Sequence, residues 1–214
     1  MKRTAEKELN RHKQRLVTAR KPAARFNKVV VFSGHMIDAP DRSSERFPPR
    51  KEKIVRESIA EQLEAWKIGP KDLAICGGAR GGDILFAELC ADRRATVWLF
   101  LPLPESEFLK QSVRLPGADW EQRFFALRDR PEVKMVFQND RFKSPPKDSS
   151  VFARNNLWMI ETARNEAKDP KHLYGLLVWD EKPTGDGPGG TSDFAARIKR
   201  LGGHLAPIIN PTKL

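Results

Sequence analysis

The sequence predicts an α/β fold in three layers, a mostly parallel sheet with helices on both faces. Three observations carry that reading: short continuous runs of Val, Ile, Leu, Phe and Trp, amphipathic stretches between them, and glycine-rich breaks where several runs end. A strand buried on both faces has no polar side to show, so it reads as an unbroken apolar run, and the crossover that makes its neighbour parallel is usually a helix. The predicted fold class is a Rossmann-like three-layer sandwich.

The first strand is expected over 28–32 (KVVVF), ended by Ser33 and Gly34. The polar, Pro-rich stretch 36–49 is long for a connection in a compact domain, and such segments commonly form lids or binding loops; starting beside His35, it is expected to close over the strand ends. Over 50–66, Ile54, Ile59, Leu63 and Trp66 recur near helical spacing, with Gly69-Pro70 as the stop. A strand over 72–76 runs straight into CGGARGGD, four glycines in eight positions, and the helix 83–94 follows with Ile84, Phe86, Ala87 and Cys90 apolar. Next come a strand over 96–101 (TVWLFL), helices over 105–113 and 119–128, and a weaker strand over 133–137. A helix over 154–167, a strand over 174–179 (YGLLVW), a helix over 192–201 and a last strand over 205–209 complete the pattern.

Composition bounds what such a fold does. With 214 residues, 39% of them hydrophobic, the chain suffices for one α/β domain with its own core. No apolar run nears the roughly 18 residues of a membrane span, and residues 1–27 are charged throughout with no signal-peptide core, so a cytoplasmic protein with no membrane partner is expected. Cys76 and Cys90 form no C-x-x-C pair and have no histidine at ligand spacing; buried thiols are expected, and no metal. The net charge of +11 is unevenly spread: residues 1–28 hold ten Lys or Arg against Glu6 and Glu8, which puts +8 there and +3 on the other 186 residues. Residues 1–27 therefore read as a basic arm or linker, either solvated or able to bind nucleic acid, and 28–214 as the domain.

In open parallel sheets, ligands sit beyond the carboxyl ends of the strands, where strand order reverses. Three breaks have that place: Ser33-Gly34-His35; Gly77-Gly78-Ala79-Arg80-Gly81-Gly82, leading to Asp83; and 185–193 (GDGPGGTSD), with Gly187, Gly189, Gly190 and Thr191. Glycine permits positive φ and lets a ligand approach bare backbone, and a helix N-terminus offers unpaired N–H groups with partial positive charge. Phosphate is the expected occupant. Arg80 would neutralise it bidentately, or else is a plain surface arginine. His35 would donate to a phosphate or base, or else is an ordinary loop histidine. Neither G-x-x-x-x-G-K-[ST] nor G-x-G-x-x-G is present, which disfavours ATP hydrolysis of the P-loop kind and ordinary dinucleotide reduction. Phe108 and Trp120 are candidates to stack on a base, against the commoner core role.

The stretch GGARGGDILFAE resembles the glycine motif of the SLOG superfamily, which groups DNA-processing protein A with the Lonely Guy phosphoribohydrolases. Gly78-Ala79-Arg80-Gly81-Gly82-Asp83 is similar to the Gly-x-Ala-x-Gly-Ile-Asp of the DNA-processing branch, and Phe152-Ala153-Arg154-Asn155-Asn156-Leu157 to its Phe-Pro-x-Arg-Asn-Arg-Ile. Gly187-Pro188-Gly189-Gly190-Thr191 is similar to the Pro-Gly-Gly-x-Gly-Thr turn of the Lonely Guy branch. The matches run in family order from about Val29 to Ile209. With SGHMIDAP and LPLPESEFLKQSV, they resemble a bacterial subgroup often joined to repeat or signalling domains. The resemblance implies a nucleotide or nucleotide-derivative ligand, and homodimers as in relatives; Arg154 and Asn155, at the start of a helix, are candidate second contacts, or else plain helix-surface residues. It does not carry catalysis over: where Lonely Guy enzymes place a glutamate, three residues after the threonine, this chain has Phe194, and Asp193 comes one residue early.

The leading functional reading is nucleotide-derivative binding by a sensor or signal-processing domain. One alternative is an N-glycosidic hydrolase or transferase acting on a nucleotide or NAD-like substrate, with Asp83, Glu88 or Asp193 supplying a carboxylate to an oxocarbenium-like centre. Asp83 also reads as a helix cap, and Glu88 as an ion-paired face residue. The other alternative is a single-stranded DNA-binding protein that uses the basic arm.

Overall fold

The computed structural model describes residues 25–137, 151–182 and 191–214. Six strands form one sheet: β1 (Val29–Gly34), β2 (Leu73–Cys76), β3 (Thr96–Leu101), β4 (Val133–Phe137), β5 (Leu173–Val178) and β6 (His204–Leu205). Every neighbouring pair is parallel, in the order β4-β3-β2-β1-β5-β6. The helices are α1 (Glu52–Ala65), α2 (Gly82–Asp92), α3 (Glu105–Phe108, continued by a wider π turn over Leu109–Val113), α4 (Trp120–Arg128), α5 (Val151–Ala167) and α6 (Thr191–Arg200).

Successive strand residues divide between two cores because side chains alternate across a pleated sheet. Val30, Phe32, Ala74, Cys76, Val97 and Leu99 pack with α1, α2 and α4, while Val29, Val31, Leu73, Ile75, Trp98 and Phe100 pack with α5 and α6. The three-layer sandwich follows. Helix α2 is apolar nearly all round, with Ile84 to Ala87 and Leu89 to Ala91 buried, because it lies between the sheet, α1 and α4. The chain lays down β1 to β4 in one direction with α1 to α4 on one face. It then returns past β1 to add β5 and β6, with α5 and α6 on the other face. Strand order therefore reverses between β1 and β5.

Three expectations change in detail. Ser33 and Gly34 belong to β1 instead of a loop, since β5 extends the ladder through Gly34↔Val178. The last strand shrinks from 205–209 to two residues, because Pro207 has no N–H to give the ladder; pairing resumes only at the Val178↔Ile209 bridge. The stretch 36–49 is a pinned wall and no open lid: Asp38 Oδ2 accepts from the N–H groups of Arg46 (2.8 Å) and Phe47 (2.9 Å), and Ile37 and Phe47 are buried beneath it. Residues 1–24 of the arm, and Gly187, Gly189 and Gly190, lie outside the described residues. Among the described residues no helix is long and apolar enough to cross a membrane.

Candidate functional site

The reversal between β1 and β5 brings His35 and Asp180 together, one just past each strand. The His35 amide donates to Val178 O (2.9 Å), continuing the ladder by one residue. His35 Nε2 then lies 2.9 Å from Asp180 Oδ1 and 3.2 Å from the Asp180 backbone nitrogen, so a protonated Nε2 donates to the carboxylate and an unprotonated one accepts from the amide. Arg46 Nε, from the pinned loop, sits 3.6 Å from Asp180 Oδ2. Burial disfavours the charge on Asp180; the hydrogen bond and charge of His35, the Lys182 amide and Arg46 outweigh it and hold the carboxyl below its ordinary range.

Beside this pair, a cavity of about 370 Å³ opens at the carboxyl ends of β1 and β2, reached by His35, Arg46, Asp83, Ser112, Asn155 and Thr191 among apolar walls of Phe32, Phe108, Phe152 and Met159. Asp83 is the second residue of α2, and its Oδ2 accepts from the Ala79 N–H (3.1 Å), folding the glycine loop back on the helix. Burial pushes the Asp83 carboxyl up to about 7, against the amides of Ala79 and Gly77, which favour the charged form. A cleft carboxyl that titrates near neutrality can hold or release a proton there. Asn155, on the second turn of α5, donates from Nδ2 to Phe100 O (2.8 Å).

The glycine loop meets protein where the sequence suggested a ligand. Gly81 has φ of +89°, and a Cβ on it would lie 2.5 Å from Ile37 N and 3.1 Å from His35 O. The Gly82 amide donates to His35 O (3.1 Å), Arg80 N–H to Ser112 O (2.9 Å), and Ile84 N–H to Ala79 O (3.2 Å). The loop's bare backbone thus serves the close approach of the segment after β1, and several of its amides are already bonded within the protein. Arg80 lies off the cavity wall, its guanidinium donating to Ile37 O (3.2 Å) and Arg114 O (3.4 Å).

The other sequence candidates separate. Ser33, Gly34, His35, Gly77, Asp83, Asn155 and Thr191 line the cavity, and Gly78, at φ +76°, packs against Phe124 and Leu99 behind it. Glu88 lies in an ion-pair network with Arg56 (2.8 Å) and Arg123 (2.7 Å) between helices. Asp193 pairs with Arg197 one turn along α6 (2.8 Å), and Phe194 is buried in the core. Arg154 is half-buried on α5 and is not among the lining residues. Phe108 reaches the cavity; Trp120 is buried, with Arg123 stacked on its ring at 4.2 Å. Asp180 and Arg46 are additions that the sequence reading missed. Among the described residues no group of three or more His, Cys, Asp or Glu converges as metal ligands would.

No family model and no curated protein matches the chain. Among solved structures it is similar to DNA processing protein A from Streptococcus pneumoniae, at 16% identity and a TM-score of 0.38, over 88% of this chain and 61% of that one. It is also similar to Moco carrier protein from Chlamydomonas reinhardtii, at 13% identity and a TM-score of 0.33, over 86% of this chain and 91% of that one. The chain therefore spans less than two thirds of DNA processing protein A.

Proposed function

We propose that the protein binds a nucleotide or nucleotide derivative in the cavity beside the His35–Asp180 pair, as a sensor or signal-processing domain. One observation carries the reading: the cavity coincides with the reversal of strand order, and a few buried polar groups converge there within apolar walls. Its volume of about 370 Å³ is in the range of small-molecule sites. The motif resemblance to the SLOG superfamily supports the same ligand class. With several amides of the glycine loop already bonded, the phosphate is assigned to Arg46 and Thr191, which line the cavity.

The test is a thermal-shift and calorimetry screen of the whole chain against nucleotides, dinucleotides and cyclic nucleotides. A ligand at about 100 times its Kd should stabilise the fold by about 2.7 kcal/mol, or several degrees of Tm. No response to any of them would refute the reading.

The state of Asp83 favours a second reading, N-glycosidic cleavage, in which a carboxyl near neutrality passes a proton to the departing base. Release of free base at about 1 per second, ordinary for an enzyme, and its loss in Asp83→Asn, would establish that reading in place of sensing.

A further inference from the structure

We propose that the face formed by the amino ends of the strands, at the far end of the sheet from the cavity, docks the phosphate backbone of double-stranded nucleic acid, with Lys67, Arg94 and Lys168 as principal contacts. The six strands are all parallel, so the residues that lead into them and the residues that end the preceding helices collect at one edge. Hydrogen bonds fix the neighbours there: the Asn27 amide donates to Lys71 O (2.9 Å), Leu73 to Lys28 O (2.9 Å) and Thr96 to Asp72 O (3.0 Å). Exposed cations recur along this edge, with Arg25 ahead of β1, Lys71 ahead of β2, Arg94 ahead of β3, Lys168 ahead of β5, and Lys199 and Arg200 ahead of β6. Neighbouring strands lie about 4.8 Å apart, so the row from β3 to β6 extends about 19 Å.

The backbone at three of these positions is unusual. Lys67, Arg94 and Lys168 have φ of 51°, 58° and 62°, and they are three of the four non-glycine residues with positive φ among the described residues. Lys67 and Arg94 close the same capping turn: Lys67 N–H donates to Glu64 O (2.8 Å) and Ile68 N–H to Leu63 O (3.0 Å), as Arg94 N–H does to Ala91 O (2.9 Å) and Ala95 N–H to Cys90 O (3.1 Å). The left-handed position of that turn ordinarily takes glycine, because a Cβ there crowds the backbone. The end of α6 follows the rule, with Gly202 at φ 74° and its amide on Lys199 O (2.9 Å). Cations favour the carboxyl end of a helix from anywhere in its last turn, as Lys199 and Arg200 do in α6. The dipole therefore accounts for basic residues here, but not for their holding the position that suits glycine. Outliers of this kind point to a use of the side chain beyond the fold.

Acids nearby leave the charge standing. Asp92 pairs with Arg56 and Arg130, Asp169 with Lys171, and Asp72 is buried, accepting from the amides of Lys28 and Gly69. Glu132 and Asp129 pair with Arg130 and Arg128, and Glu64 and Glu166 stand on the last turns of α1 and α5. Among the described residues Lys67, Arg94 and Lys168 enter no ion pair. What the face lacks identifies the partner. The exposed large apolar residues Met36, Phe137 and Phe152 stand at the other end of the sheet, and Ile54 and Leu214 by the start of α1. A membrane surface is gripped by apolar insertion as well as charge, and single strands by aromatic platforms under their bases. Charge without either suits a duplex, whose bases are stacked inward and which carries one phosphate per about 1.7 Å of its axis.

The test is fluorescence anisotropy of the whole chain over a salt series, with mixed-sequence DNA and RNA duplexes and single-stranded DNA of equal length, beside sedimentation with vesicles containing phosphatidylserine. A duplex should bind tightest, and the tighter of the two identifies the nucleic acid. Joint replacement Lys67→Gly, Arg94→Gly and Lys168→Gly should lower the log-log salt slope by about 1 per residue and the affinity by about tenfold or more. Its Tm should be unchanged or raised, because glycine suits the left-handed turn. Lys199→Ala with Arg200→Ala, in helical backbone, should lower the slope by about 2. An unchanged slope in the glycine variant would overturn the proposal, as would tighter binding to single strands or to vesicles than to either duplex. A fall of several degrees in the Tm of that variant would also overturn it, by assigning the three side chains to the helix ends.

Discussion

Replacing Asp83 with asparagine should stabilise the protein, and only above acidic pH. Asp83 is 9% exposed, and burial holds its carboxyl at about 7, against an ordinary value of 3.8. The folded state thus holds this proton more tightly than the unfolded chain. The stabilisation from the proton is full below about pH 4, is lost progressively as pH rises, and is gone above about pH 7. The displacement is about 3 pH units, each worth about 1.4 kcal/mol, so burying the ionised group costs the fold about 4 kcal/mol at pH 8. Asparagine has the shape of the neutral acid, can still accept the Ala79 N–H through its oxygen, and does not titrate. Urea unfolding followed by circular dichroism from pH 4 to 8 should find the two proteins alike at pH 4. They should diverge to about 4 kcal/mol at pH 8, on the order of 10 °C in Tm for a chain of this size. A difference that stays constant across that range would refute the account of Asp83 as a buried acid.

Four further outcomes follow from named contacts. Gly81→Ala should cost at least about 2 kcal/mol, because its Cβ would meet Ile37 N and its φ is left-handed; an unchanged urea midpoint would contradict that packing. Asp180 has a depressed carboxyl, so its stabilisation is full above the ordinary carboxylate range and is lost as pH falls through its lower folded value. Asp180→Asn should flatten the acid limb of the stability profile, and an identical limb would count against the pairing with His35. Asp193→Asn should leave nucleotide affinity within about twofold by calorimetry, because Asp193 pairs with Arg197 along α6 and is not among the residues lining the cavity. Deleting residues 1–24 should flatten the salt dependence of single-stranded DNA binding, about −0.7 in log-log slope per phosphate released, with no change in the nucleotide thermal shift. Undiminished retention in fluorescence anisotropy would move DNA binding from the arm to the domain.

The architecture was legible because burial on both faces leaves a trace in composition: TVWLFL is β3, KVVVF and YGLLVW overlap β1 and β5, and no polar alternation competes with that reading. The site was legible only in part. Asp83 and Asn155 stand in recognisable motifs, whereas Asp180 and Arg46 are single charged residues whose meaning comes from the adjacency of β1 and β5. That adjacency is a property of strand order, which local pattern does not encode, although a carboxylate directly after a buried strand is a usable signal in such a fold. The glycine loop shows the converse. Its composition correctly signals close approach to backbone, but Gly81 meets Ile37, a residue 44 positions earlier, and no periodicity distinguishes a chain segment from a ligand. Arg80 reads as an anion contact by type, and its bonds to Ile37 O and Arg114 O appear only once the three loops are in place.

The late return of the chain to β1 has a consequence for how the protein assembles. His35 and Asp180 are 145 residues apart in sequence, and Asn155 sits on the crossover that carries the chain back. A growing chain that has reached residue 137 holds β1 to β4 and their covering helices, yet one side of β1 still lacks its partner and the cavity lacks the lining that comes from α5 and Thr191. Closing so long a loop is slow and entropically costly, so the last contacts to form are the ones around the cavity. The nucleotide binding proposed above would thereby require a chain folded through β5: partially synthesised or clipped forms would keep much of one core and lack the complete cavity.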